Sequence, residues 1–161
     1  MEITRPMIQY FNNRTKKHIE YVNYFAKKVG YSFPNHDSDK FNSDLTKPYI
    51  ILSWCSFKKQ PLPTKEYDEL INAMKSHYST NKHHPEYWEN IDDMDKESLI
   101  EMCADWCAMS KEYNNDPFNW ADNNINIRWY FNDKQIKFIY NTMNIMWSDE
   151  WLIMVYIFQT V

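Results

Sequence analysis

The chain has 161 residues, 43% of them hydrophobic and 17% aromatic, enough for one domain around one ring-rich core. Its single glycine, Gly30, argues against glycine-rich phosphate loops, G-x-G-x-x-G nucleotide turns and tight hairpin sandwiches, and favours helices. A net charge of −4 without a long basic run argues against a duplex nucleic-acid surface, and no apolar run approaches the ~20 residues of a membrane span.

Three cysteines, an odd number, read as reduced thiols, and the first residues lack the apolar core of a signal peptide. The expected location is the cytoplasm. Abundant Asn beside scarce Gly is the bias of an AT-rich coding sequence, as in a virus, a phage or an AT-rich bacterium; for a virus or phage the location is the host cytoplasm.

In chain order, His18, Val22, Phe25, Ala26 and Val29 recur at spacings of three and four and predict a helix from about Thr15, or earlier, to Val29, closed by Gly30. His18 lies on its core-facing side, either as a satisfied core histidine or as a ligand. Next comes Asn35-His36-Asp37-Ser38-Asp39-Lys40-Phe41. An adjacent imidazole and carboxylate can hold a divalent cation, and the carboxylate can bridge a second. Lys40, one helical turn past Asp37, puts an ammonium within reach of a bound phosphate. His-Asp pairs are common, so the reading depends on further ligands elsewhere in the chain.

A buried helix is expected over Tyr49 to Trp54, with Pro48 in its first turn, followed by a surface linker from Lys58 to Pro63. A Thr64 cap opens a helix to about Tyr78, whose inner face is Tyr67, Leu70, Ile71, Met74, His77 and Tyr78. The segment Asn81 to Trp88 places His83, His84, Pro85 and Glu86 in a turn, either a solvated loop or one that converges on a site.

Asp95 caps a helix running to about Tyr113, on which Asp105 is flanked by Met102, Trp106 and Met109. A carboxylate in such surroundings needs a cation, a donor or a metal. Cys103 and Cys107 have no second cysteine pair to complete a zinc site and read as packing thiols. Asn114 to Arg128 reads as an irregular loop, a lid or a surface connection. A last helix runs from an Asn132 or Asp133 cap to about Trp147, with Ile136, Ile139, Tyr140, Met143 and Met146 inside. The apolar run Trp151 to Phe158 is a final helix, a strand or an oligomer contact, which leaves a homo-oligomer open. No internal repeat is evident, and residues 1–161 read as one domain.

Taken together, His18, His36-Asp37, His77, His83-His84 and Asp105 use all five histidines of the chain. Imidazole with carboxylate suits one or two divalent transition metals among Fe, Mn, Co, Ni and Zn. The expected arrangement has His18, His36, Asp37 and Asp105 on one ion and Asp37, His77 and one or both of His83 and His84 on the other, with Asp37 as the bridge. Such a pair binds a phosphate oxygen and activates water, while Lys40 neutralises charge on the phosphoryl group. Glu86 would orient a ligand or move a proton, or only cap its turn.

The order His, His-Asp, later Asp resembles the HD-domain superfamily of helical metal-dependent phosphohydrolases, and His36 to Lys40 is similar to the His-Asp-x-x-Lys segment of its binuclear phosphodiesterases. No glycine stands at the fourth position and no Gly-Tyr-Pro follows. Three further segments resemble the DUF5662 family: His36-Asp37-Ser38-Asp39-Lys40-Phe41, Asn81-Lys82-His83-His84-Pro85-Glu86-Tyr87-Trp88 and Glu101-Met102-Cys103-Ala104-Asp105-Trp106. The first departs from that family's pattern in carrying Asp39 where a serine recurs.

The resemblances imply an all-α, HD-domain-like helical bundle of about five to seven helices around a metal site. They also imply a phosphatase or phosphodiesterase acting on a nucleotide or another small phosphorylated substrate through a metal-activated water. An HD-fold di-iron oxygenase and a non-catalytic, metal-stabilised viral binding protein are the alternatives.

Overall fold

The computed structural model describes residues 1–148, and among these the chain forms six α-helices and no β-strand: α1 (Arg5–Lys27), α2 (Ser43–Lys58), α3 (Tyr67–Thr80), α4 (Lys96–Tyr113), α5 (Pro117–Asp122) and α6 (Asp133–Trp147). Short 3-10 turns at Ser38–Phe41, Thr64–Glu66, Pro85–Tyr87 and Ile91–Asp93 join them. The apolar run Trp151 to Phe158 lies outside the described residues. No helix among the described residues is long and apolar enough to cross a membrane.

Local chemistry sets most of the helix ends. The Asp95 carboxylate accepts from the Ser98 amide at 2.8 Å and opens α4, and Asn132 and Gln135 form a reciprocal cap at the start of α6. Gly30, at φ 84°, turns the chain back after α1 in the left-handed region open to glycine. The first helix starts ten residues before Thr15, because Met7 and Phe11 continue its buried stripe toward the N-terminus. Pro48 lies inside α2 rather than in its first turn, since the helix begins at Ser43. Tyr67, expected on the inner face of α3, is 50% exposed; it is the first residue of that helix, where the chain has just left a 3-10 turn. The expected loop Asn114 to Arg128 contains α5, which Asp116 caps by accepting from the Phe118 amide at 3.0 Å.

Two apolar clusters hold the bundle, and α1 belongs to both. Its N-terminal half brings Met7 and Phe11 to α2 and α3, against Tyr49, Ile50, Ile51 and Ala73. Its C-terminal half brings Val22, Phe25 and Ala26 to α4 and α6, against Cys103, Cys107, Ile139 and Met143. Cys103 and Cys107 pack in that apolar cluster as thiols, and Cys103 Sγ lies 3.8 Å from the Ile139 carbonyl oxygen. Between the residues it gives to the two clusters α1 carries buried Thr15 and His18.

Candidate metal centre

Each histidine reaches this layer for a local reason. His18 is held by the buried stripe of α1, and His77 by the stripe of α3 that includes Leu70 and Ala73. The His36-Asp37 pair is placed by Asn23 of α1. That amide donates to the Phe33 carbonyl at 3.0 Å and accepts from the Phe33 amide at 2.7 Å, which pins the loop just ahead of His36. Asp37 is then turned inward by a left-handed backbone, φ 57°, a conformation that Asp and Asn tolerate better than other side chains. His83 and His84 follow α3 in a tight turn closed by the His84 amide on the Asn81 carbonyl and stiffened by Trp88 Nε1 donating to the Lys82 carbonyl.

The structure brings all seven expected ligand residues together. Asp37, His77, His83 and His84 form one group, and His18, His36 and Asp105 another. Within each group the ligand atoms lie within 4.8 Å of one another. The two oxygens of Asp37 divide between them. Oδ2 lies 3.7 Å from both His18 Nε2 and His36 Nε2, and Oδ1 lies 3.2 Å from His77 Nε2 and 3.9 Å from His83 Nε2. His18 Nε2 is 3.0 Å from Asp105 Oδ1, and His84 Nε2 is 3.0 Å from His77 Nε2. Ligands sharing one ion at about 2.1 Å stand about 3.0–3.4 Å apart; the spacings of 3.0 and 3.2 Å meet this, and those of 3.7 and 3.9 Å would have to close by a few tenths of an ångström.

The unpaired atoms agree with that fit. His36 Nε2, His83 Nε2 and Asp37 Oδ1 are buried and have no hydrogen-bond partner, a costly state for polar atoms that a cation relieves. On the opposite side of the rings, Glu101 Oε1 lies 2.8 Å from His36 Nδ1 and 3.6 Å from His83 Nδ1, and Asp39 Oδ2 lies 2.8 Å from His77 Nδ1. Asn81 donates to the same Asp39 oxygen at 2.9 Å. A carboxylate behind Nδ1 keeps the proton there and leaves the Nε2 lone pair free for a metal.

The charged groups of the cluster shift one another. Burial opposes ionisation of Asp37, but Lys40, His36, His77 and His18 hold its carboxyl well below the usual range. Burial opposes a charged His36 as well, yet Asp37, Asp105 and Glu101 raise it to about 10. Asp105, its side chain 16% exposed, is likewise lowered by His18 and His36 against the effect of burial. His83 is pushed down to about 4 by burial and by His36.

Lys40 Nζ donates to Asp37 Oδ2 at 2.5 Å from the 3-10 turn, so it is tied to the centre. Glu86 stands at the edge, paired with Arg128 at 2.6 Å.

Three carboxylates that the sequence reading did not assign stand behind the rings: Asp39, Glu101 and Glu112. The signal for two of them was present, since Glu101, Asp105 and Glu112 follow one another on α4 at spacings of four and seven, one face of a helix. Glu112 Oε2 lies 3.8 Å from His18 Nδ1, and both atoms are buried without a hydrogen bond. Glu101 is the one most closely engaged. Glu101→Gln, which keeps an acceptor for His36, is expected to retain metal far better than Glu101→Ala, whose affinity should fall about 10- to 100-fold. Metal titration of both variants, with circular dichroism as the fold control, checks this; equal affinities would show that the carboxylate has no orienting role.

The centre forms the floor of a cavity of about 830 Å³, to which His18, Asp37, His77, His84 and Asp105 are exposed, with Lys40, Tyr49 and Tyr78 beside them. His36, His83 and Glu101 are not among its lining residues and so support the floor from behind.

No curated protein and no solved structure matches the chain. One family profile, described as a family of unknown function, DUF5662, matches residues 7–145. That span takes in every histidine and carboxylate of the centre, and the chain belongs to the DUF5662 family.

Proposed function

We propose that the protein is a metal-dependent phosphohydrolase with a two-metal centre, acting on a nucleotide or another small phosphorylated molecule. The observation that carries the reading is the division of the Asp37 oxygens between two histidine groups at the floor of one open cavity. His18, His36 and Asp105 would hold one ion, His77, His83 and His84 the other, and Asp37 would bridge them. Bound divalent ions supply an activated water and stabilise charge on a phosphoryl group.

The chain's own residues do the rest. Asp39 and Glu101 orient the imidazoles. Lys40 holds its ammonium on the Asp37 side of the cavity, where it can donate to a phosphoryl oxygen. Glu86, paired with Arg128 at the cavity wall, positions the substrate's outer part. The HD-domain likeness belongs to this same reading and rests on the grouping of histidines and carboxylates.

The test is metal analysis of untagged protein, followed by a screen of phosphate mono- and diesters with Mn, Co, Ni and Fe added in turn. About two transition-metal ions per chain and metal-dependent release of phosphate are expected. Metal uptake joined to oxygen consumption in place of phosphate release would favour the di-iron oxygenase. Metal that stabilises the chain without turnover of either kind would favour a binding protein.

A further inference from the structure

Every lysine and arginine side chain that lines the cavity is already neutralised by a carboxylate. The three are Lys40, Arg14 and Arg128. Lys40 lies on Asp37, Arg14 Nε donates to Glu112 Oε1 at 2.5 Å, and Arg128 donates to Glu86 at 2.6 Å. The far wall adds Asp116, a further negative charge. A second or third phosphoryl group reaching outward from the floor would meet Glu86 and Asp116, and the cations there, Arg14 and Arg128, are each neutralised by a carboxylate, whereas the floor would add the charge of bound metal. A polyphosphate is a poor fit, and a single phosphoryl group is a good one.

That wall also has a distinct composition. α5 carries Trp120, 47% exposed and facing the cavity, next to Asn119 and followed by Asn123. Trp106 and Trp129, which also line the cavity, are stacked on each other with centroids 5.8 Å apart, whereas no aromatic pair involves Trp120 among the described residues. An open indole face beside primary amides suits a flat, uncharged ring with hydrogen-bonding edges.

Building on the phosphohydrolase reading, we infer that the substrate is a phosphomonoester of an alcohol bearing such a ring, with its one phosphoryl group on the floor and its ring against Trp120. Nucleoside 5′-monophosphates have this chemistry. In the reaction the water oxygen forms the new bond to phosphorus, the ester P–O bond breaks, and a proton from the water goes to the departing oxygen. One alcohol and one inorganic phosphate result.

Two measurements on the metal-loaded full chain test this. The first compares kcat/KM for adenosine 5′-monophosphate, 5′-diphosphate and 5′-triphosphate, a 3′,5′-cyclic diester and glycerol phosphate. The monophosphate is expected to lead glycerol phosphate by about tenfold or more, the scale of one base–aromatic stack, and to exceed the di- and triphosphate and the cyclic diester as well. The second is calorimetric binding of the non-hydrolysable 5′-phosphonate of the same nucleoside. Trp120→Ala is expected to weaken it about tenfold and to erase the preference over glycerol phosphate.

Equal or faster turnover of the di- or triphosphate or the diester would overturn the inference and leave the phosphohydrolase reading standing. Unchanged phosphonate affinity in Trp120→Ala would also overturn it. If no ester is hydrolysed, the phosphohydrolase reading fails, and phosphonate binding still decides: binding that depends on Trp120 supports the ring subsite, and no binding overturns it.

Discussion

Asp37→Asn is expected to strip the centre of at least one metal ion and to abolish phosphate-ester hydrolysis, while the helical signal stays intact. The substitution keeps the side chain's shape and replaces a carboxylate that faces both histidine groups with a neutral amide. Asparagine also tolerates the left-handed backbone at φ 57° that this position needs. Asp37→Ala should lose metal equally and in addition cost stability, because alanine pays roughly 1–2 kcal/mol in that region and because Lys40 loses its hydrogen-bond partner. Elemental analysis beside a thermal melt separates the two effects. Full metal occupancy and activity in Asp37→Asn would remove the bridging role and with it the two-metal arrangement.

Chelation is expected to lower the melting temperature by about 10 °C. Metal present at roughly a thousand times its dissociation constant stabilises the folded state by about 4 kcal/mol, and for a chain of this size each kcal/mol moves the midpoint by about 2–4 °C. The loss should grow with pH. In the metal-free chain His36 is raised from 6.5 to about 10, so the stability from its proton is fully present below 6.5 and disappears as pH rises toward 10. The Asp37 and Asp105 carboxyls are lowered from 3.8, so their contribution is present above 3.8 and lost only on stronger acidification. His83, lowered to about 4, and His84, lowered to about 2, contribute stability that is lost as pH falls below 6.5, so the metal-free protein is most stable near 6.5. Metal needs deprotonated imidazoles and binds better as pH rises. Melts with and without chelator at pH 6 and pH 8.5 should diverge more at the higher pH. A gap that is absent, or that shrinks with pH, would show that the histidines serve the fold without holding an ion.

Much of the centre was legible because its residues sit on periodic elements. His18 and His77 complete apolar stripes, and a histidine on a buried stripe must point inward whatever the rest of the fold does. Asp105 was legible for the related reason that α4 surrounds it with Met102 and Trp106. The supporting carboxylates were harder to see. Glu101 and Glu112 look like ordinary charges of an exposed helical face until α1 and the His36 loop are packed against them. Asp39 resembles a surface residue of a polar turn until His77 arrives from a segment 38 residues later.

Helix identity and the inward direction of the ligand side chains were thus determined by the sequence alone, since they follow from spacing, capping residues and the scarcity of glycine. The tertiary structure decided how those side chains are shared. Whether the two oxygens of Asp37 face one histidine group or two depends on a left-handed backbone fixed by Asn23 and on the angle at which α1, α3 and α4 meet. It also decided that Asn114 to Arg128 contains a short helix, α5, whose Trp120 faces the cavity. Six residues are too few for a periodic pattern to announce, and such a helix forms because neighbouring helices bury Pro117 and Ala121.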